Sequence, residues 1–165
     1  MPITLADEAP MRRAIEASRA ALAAGNMPFG ATLVSPAGEL LWTAQNDQVT
    51  RGDCTGHAET VLVREVAAAL GTDALRGATV YASGEPCAMC AGAMFWAGIG
   101  RVVYAASTAD IAQHLGGPST LPIRCAQVLA GATPPVAVDG PLLRDDAIAV
   151  LAAGGAKFSG GAAAR

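Results

Sequence analysis

Two short motifs constrain this chain more than any other feature: His57-Ala58-Glu59, and Pro86-Cys87-Ala88-Met89-Cys90, whose first cysteine lies 30 positions after the histidine. Cys87 and Cys90 are three apart at the predicted start of a helix, so both thiols fall on one face of its first turn. Pro86 suits helix entry, because its fixed φ is helical and its missing N–H costs nothing there. Free N–H groups and the positive dipole end at such a start favour thiolate over thiol. His57 opens a second predicted helix. The stretch between the motifs holds the rest of one helix, a loop and a strand, which is a crossover length that returns the chain to the same sheet edge. That spacing lets two helix N-termini converge on one point.

The surrounding pattern supplies that fold. Met11, Ile15, Ser18, Arg19 and Leu22 recur at helical spacing up to a stop at Gly25-Asn26. Residues 29–34 read as a strand, Ser35-Pro36-Ala37-Gly38 as a turn, and residues 39–44 as the hairpin partner. Helix is expected over 57–70, strand over 79–82, helix over 87–97 and strand over 101–105. A weak helix around 109–115, a strand at 136–138 and a last helix over 143–152 complete the series. A hairpin followed by strand–helix alternation predicts an α/β fold, a three-layer α/β/α sandwich around a central mixed five-stranded sheet. Residues 1–153 form one catalytic domain in this reading, and the Gly/Ala-rich residues 154–165 a flexible tail.

Composition narrows the partners. The 165 residues are 52% hydrophobic and 15% charged, enough for one full core. A mean hydropathy of +0.37 suggests apolar surface covered by a second copy. The net charge is −3 and no basic run exceeds Arg12-Arg13, so the basic stripe by which proteins grip nucleic acid is missing. A small, roughly neutral substrate fits better than a polyanion. Four cysteines do not make a disulfide framework. The start lacks the basic and apolar regions of a signal peptide, and the apolar stretches are broken well before membrane-spanning length. The expectation is a soluble cytoplasmic protein.

A catalytic zinc ion takes three protein ligands and leaves its fourth tetrahedral position open. His57, Cys87 and Cys90 fill the three places, and Glu59 is left to move protons. His-x-Glu followed by Pro-Cys-x-x-Cys is the signature of zinc deaminases. In that chemistry water attacks the carbon bearing an exocyclic amine, and the carboxylate accepts a proton and then donates it. Cys-x-x-Cys alone is equally a redox motif, and a closed structural zinc site is the other non-catalytic reading. Three good ligands leave the site open, which argues against closure.

The chain resembles the cytidine/deoxycytidylate deaminase superfamily, and within it the guanine deaminases and bacterial tRNA adenosine deaminases. The matching stretches are Pro28-Phe29-Gly30-Ala31, Asn46, Thr55-Gly56-His57-Ala58-Glu59, the run from Gly84 to Ala93, and Arg101-Val102-Val103-Tyr104. The family's usual alanine before the histidine is Gly56 here. The resemblance implies a zinc-dependent hydrolytic deaminase with a cytidine deaminase-like fold, releasing ammonia from a nucleobase or related small heterocycle, guanine-like or cytosine-like. It implies that Asn46 hydrogen-bonds the substrate ring, that Phe29 and Ala58 help form the base pocket, that Trp96 lines it, and that Asp110 reads the base edge. It further implies a homodimer. The alternative within the same chemistry, adenosine deamination in tRNA, needs positive surface, and the last 35 residues offer only Arg144, Lys157 and Arg165 against three Asp. Asp110 is also placed to cap the helix that follows it. His114 reads as an ordinary structural or surface residue, and Cys54 and Cys125 as small buried ones.

Overall fold

A computed structural model of the protein describes residues 2–116 and 121–158. After a 3-10 turn at Leu5–Asp7, the order is α1 (Glu8–Ala23), β1 (Gly30–Val34), β2 (Leu40–Gln45), α2 (Gln48–Arg51), α3 (Ala58–Leu70), β3 (Thr79–Gly84), α4 (Ala88–Ala97), β4 (Arg101–Ala106), α5 (Thr108–His114), α6 (Cys125–Val128), β5 (Ala137–Asp139) and α7 (Arg144–Phe158). The strands form one mixed sheet in the order β2-β1-β3-β4-β5. β1 is antiparallel to β2 and β3, and β3, β4 and β5 run parallel.

Alternation along the central strands divides the core. Ala31, Leu33, Val80 and Val102 face one side and pack with Val61, Leu62 and Val66 of α3 and Ala91 and Met94 of α4. Tyr81, Val103 and Ala105 face the other side, against Met11, Ala14 and Ile15 of α1 and Ala147, Val150 and Leu151 of α7. Continuous hydrophobic runs in β3 and β4 are what a parallel strand covered on both faces requires. Gly30 lets β1 lie directly on α1, since a Cβ there would meet Ala17 Cβ at 2.6 Å.

The expected elements are present, with shifted ends. α7 is longer than the sequence suggests: it runs through Gly154 and Gly155 to Phe158, because Gly154 packs against Pro28 and Leu115 and Gly155 against the His114 carbonyl. The tail reading therefore reduces to residues 159–165, which lie outside the described residues. The short helices α2 and α6 carry no periodic signal at four residues each and were not expected.

A buried ionic network ties the sheet together at the start of the parallel strands. Asp7 Oδ1 accepts from Tyr81 Oη at 2.6 Å and Arg101 Nη1 at 2.7 Å, and Arg101 Nε donates to Asp139 Oδ2 at 2.8 Å. This leaves the opposite, carboxyl ends of the strands for the site, where open α/β sheets place ligands.

Candidate active site

His57 and Cys87 are the N-cap residues of α3 and α4, both extended, and neither uses its side chain to cap. N-cap side chains ordinarily accept from the helix N–H groups. Here they turn toward each other across two helix N-termini. His57 Nδ1 lies 3.6 Å from Cys87 Sγ, and Cys87 Sγ lies 3.7 Å from Cys90 Sγ. The three donor atoms all fall within 4.8 Å of one another, a group of metal-binding type among the described residues. A tetrahedral zinc with Zn–S of ~2.3 Å and Zn–N of ~2.0–2.1 Å needs S···S of about 3.8 Å and S···N of about 3.6 Å. The observed spacings meet both, so this donor set fits zinc with one position left open.

The electrostatics agree. The Cys87 thiol is pulled down to about 4 by its hydrogen bond with Cys90, and by His57, against the opposing effect of burial. Cys90 is pushed up by the same hydrogen bond to Cys87 and by burial. One anionic sulfur is favourable here, and a second requires a cation. Thr60 Oγ1 lies 3.4 Å from Cys90 Sγ and supports that sulfur.

Glu59 stands in the first turn of α3 and is 5% exposed. Burial pushes its carboxyl pKa up, opposed by a hydrogen bond to its own backbone and by the nearby His57. A buried carboxyl that interacts with His57, Cys87 and Cys90 has the setting of a proton carrier. Ala58, between His57 and Glu59 in the first turn of α3, is fully buried.

Asn46 follows β2 and is 1% exposed. Its Oδ1 accepts from Gln48 N at 3.1 Å and its Nδ2 donates to Gln48 Oε1 at 2.8 Å. The backbone N–H can only donate, so it fixes which end of the amide is oxygen. Gln48 also donates to the Cys54 carbonyl at 3.2 Å, linking Asn46 to the loop before His57. Phe29 lies at the carboxyl end of β3: a Cβ on Gly84 would meet its Cε1 at 2.8 Å and Ile111 Cδ1 at 3.0 Å.

Three expectations are corrected. Asp110 does not present a free carboxylate. Its Oδ2 accepts from Ser107 N (2.9 Å), Ser107 Oγ (2.7 Å) and Arg144 Nε (3.1 Å), and its Oδ1 from Arg144 Nη2 (2.5 Å). Arg144, then the Ser107 bonds, hold its pKa well below the carboxylate range. It is a capping-box residue. Trp96 sits in the last turn of α4, at the far end from Cys87, and is 85% exposed, so it does not line a pocket of its own chain. Cys54 is exposed rather than buried, because it lies on the loop between α2 and α3, whereas Cys125 is buried as expected.

One residue carrying no assigned role proves central to the ligand loop. Glu85, two before Cys87, has a side chain only 2% exposed. It accepts from Thr108 N and Oγ1, both at 2.8 Å, from Arg124 Nε at 2.8–2.9 Å and Nη2 at 2.6 Å, and from Cys125 N at 3.3 Å. These bonds pin the ligand loop to the starts of α5 and α6. Arg124 is isolated in a Pro-rich stretch with no sequence signal.

Comparison with known proteins fits this geometry. Residues 5–106 match the family model for the cytidine and deoxycytidylate deaminase zinc-binding region. The chain is 37% identical over 145 residues to the "Probable cytosine deaminase" of Schizosaccharomyces pombe, spanning 86% of this chain and 88% of that protein. It is 41% identical over 100 residues to the tRNA-specific adenosine deaminase of Bacillus subtilis, 61% of this chain and 62% of that one. Among solved structures it is similar to a guanine deaminase from Nitrosomonas europaea, with a TM-score of 0.76, 29% identity, and coverage of 94% of this chain and 87% of that chain.

Proposed function

The chain belongs to the cytidine and deoxycytidylate deaminase family and is a hydrolytic deaminase with a zinc-binding region; from that premise we propose that its substrate is a free nucleobase or related small heterocycle, guanine-like or cytosine-like, whose exocyclic amine is exchanged for a carbonyl. The observation that carries this reading is the buried Glu59 carboxyl beside a three-donor cluster that has no fourth ligand among the described residues. Relatives named for cytosine and guanine deamination support the substrate class.

His57, Cys87 and Cys90 hold the zinc. When bound, the ion supplies Lewis acidity that lowers the pKa of water toward ~7. Glu59 takes a proton from the attacking water and delivers it to the ring nitrogen, then takes the second proton from the hydroxyl of the tetrahedral adduct and passes it to the amine, so that the C–N bond breaks, ammonia leaves and a carbonyl remains. Asn46, its amide fixed by Gln48, orients the ring, and Phe29 bounds the pocket. Burial at two helix N-termini keeps bulk water from competing for the proton.

The protein acts as a homodimer in this proposal. Met89 and Trp96, seven residues apart on one face of α4, leave an apolar stripe 36% and 85% exposed. Such a stripe on a chain this small is suited to a second copy.

Ammonia release from a panel of free bases, nucleosides, pterins, triazines and a tRNA tests the reading. Turnover of at least one free heterocycle supports it, and turnover of the tRNA alone overturns it. Glu59→Gln must then cut kcat by at least about a hundredfold, the scale of general acid–base catalysis, while zinc stays stoichiometric by metal analysis. Loss of zinc in that variant would instead make Glu59 part of the metal site.

A further inference from the structure

Asp47 directly follows Asn46, and Gly56 directly precedes His57, so the contact between these two residues joins the two halves of the site. Asp47 N donates to the Gly56 carbonyl at 3.0 Å. The two carboxylate oxygens of Asp47 then part company. Oδ2 is held by Arg51 Nε at 2.6 Å and lies 3.9 Å from Arg64 Nη2. Oδ1 points the other way, is buried, and accepts no hydrogen bond from the described residues. It occupies the space into which a side chain on Gly56 would project: a Cβ there would fall far inside contact distance of Asp47 Oδ1, and would also crowd Gln48 N at 3.0 Å and Asp53 O at 3.1 Å.

Glycine is not demanded at 56 by the backbone, which has no positive φ there. It is demanded by space: the carboxylate makes the one contact under 3.0 Å, and the Gln48 and Asp53 backbones lie tight beside it. A residue serving only to hold α2 would need only the oxygen that meets Arg51. The second oxygen packs on the residue before the histidine, while the neighbouring Gln48 grips Asn46 at both ends of its amide. Any displacement of Asp47 is therefore passed to Asn46 on one side and to His57 on the other.

We infer that Asp47 is a positioning residue whose carboxylate, wedged on Gly56, sets the separation between the ring-orienting amide of Asn46 and the metal-binding imidazole of His57. The inference rests on the roles proposed above for those two residues. It makes Gly56 and Asp47 a size-matched pair, in which enlarging one is tolerated only if the other is reduced.

The test uses the zinc-loaded protein and reads release of zinc to a chromophoric chelator, with thermal melting alongside. Gly56→Ala speeds release by roughly tenfold, the lower end of the cost of disturbing a group that orients a metal ligand. Adding Asp47→Ala removes the one contact under 3.0 Å and recovers most of that loss, the non-additivity expected of two residues in contact. Adding Asp47→Asn, which is the same size, does not. Wild-type release in Gly56→Ala overturns the inference, as does equal rescue by Asp47→Asn and Asp47→Ala. Should Gly56→Ala fail to fold, the Gly56→Ala/Asp47→Ala chain must fold and hold zinc, and its failure is equally fatal. Where a substrate is in hand, KM rises more than kcat falls in Gly56→Ala and recovers in the double variant. Zinc release needs no substrate, so a chain that deaminates no heterocycle still decides this question, while the ammonia panel decides the other.

Discussion

Removing Arg124 tests whether the ligand loop is held from the C-terminal third of the chain. The Glu85 carboxylate is 2% exposed, and Arg124 is its one cationic partner among the described residues. Taking one partner from a buried pair costs ~3–5 kcal/mol, because the other charge is left without compensation. Two features reduce that here. The Arg124 side chain is 43% exposed, so water enters where it stood. Glu85 also keeps its bonds from Thr108 N, Thr108 Oγ1 and Cys125 N. We expect Arg124→Ala to cost about 2–3 kcal/mol, which for a domain of this size lowers Tm by about 4–12 °C.

Arg124→Lys keeps the charge and loses the planar fork, so it should fall between wild type and alanine. Glu85→Ala combined with Arg124→Ala should cost less than the sum of the singles by at least ~0.5 kcal/mol, since both remove one interaction. Thermal melts of the zinc-loaded variants measure all four. A Tm drop under about 2 °C for Arg124→Ala would mean that the carboxylate is satisfied without its cation. Strict additivity would mean that the two residues act separately. Either result refutes the assignment of Arg124 to the ligand loop.

Other consequences are quicker to check. Asp7 tends upward through burial, but Arg101 and Tyr81 hold it far below the usual carboxylate range. A depressed folded-state pKa contributes stability that is complete above the unfolded value of ~3.9 and is lost as pH falls through the folded one. The urea-midpoint gap between wild type and Asp7→Asn should therefore be widest near neutrality and shrink below about pH 4; a constant gap counts against the network. Trp96→Glu should give a stable chain that light scattering reports at the single-chain mass of 16.5 kDa, and a wild-type protein already at that mass removes the homodimer. Met94→Ala, at a position with no exposure between α4 and the sheet, should cost about 2–5 kcal/mol in chemical denaturation, and a loss under 1 kcal/mol would mean that the core there collapses freely.

What the sequence made legible and what it hid divide along physical lines. The candidate metal donors are legible because their chemistry fixes residue type and local spacing together: Cys-x-x-Cys behind Pro86 opens a helix, and His57 needs only a chain length that returns it to the same sheet edge. The layers were readable because each buried face imposes a period, seen in Val80/Tyr81 and Val102/Val103 pointing to opposite clusters. Specificity residues carry no such period. Asp110 is open in sequence to both a capping and a substrate role, and the group that engages its carboxylate, Arg144, comes from 34 positions later. Trp96 was misplaced because its exposure depends on the end of α4 it occupies, not on its distance from Cys90 in sequence. Glu85, Arg124, Gln48 and Asp47 were silent for a common reason: each acts through a partner brought by tertiary folding. The one local trace was Gly56, a departure from the family pattern beside a ligand. A glycine with ordinary backbone angles signals that something else fills the space of its side chain, and here that occupant is a carboxylate adjoining the proposed substrate reader.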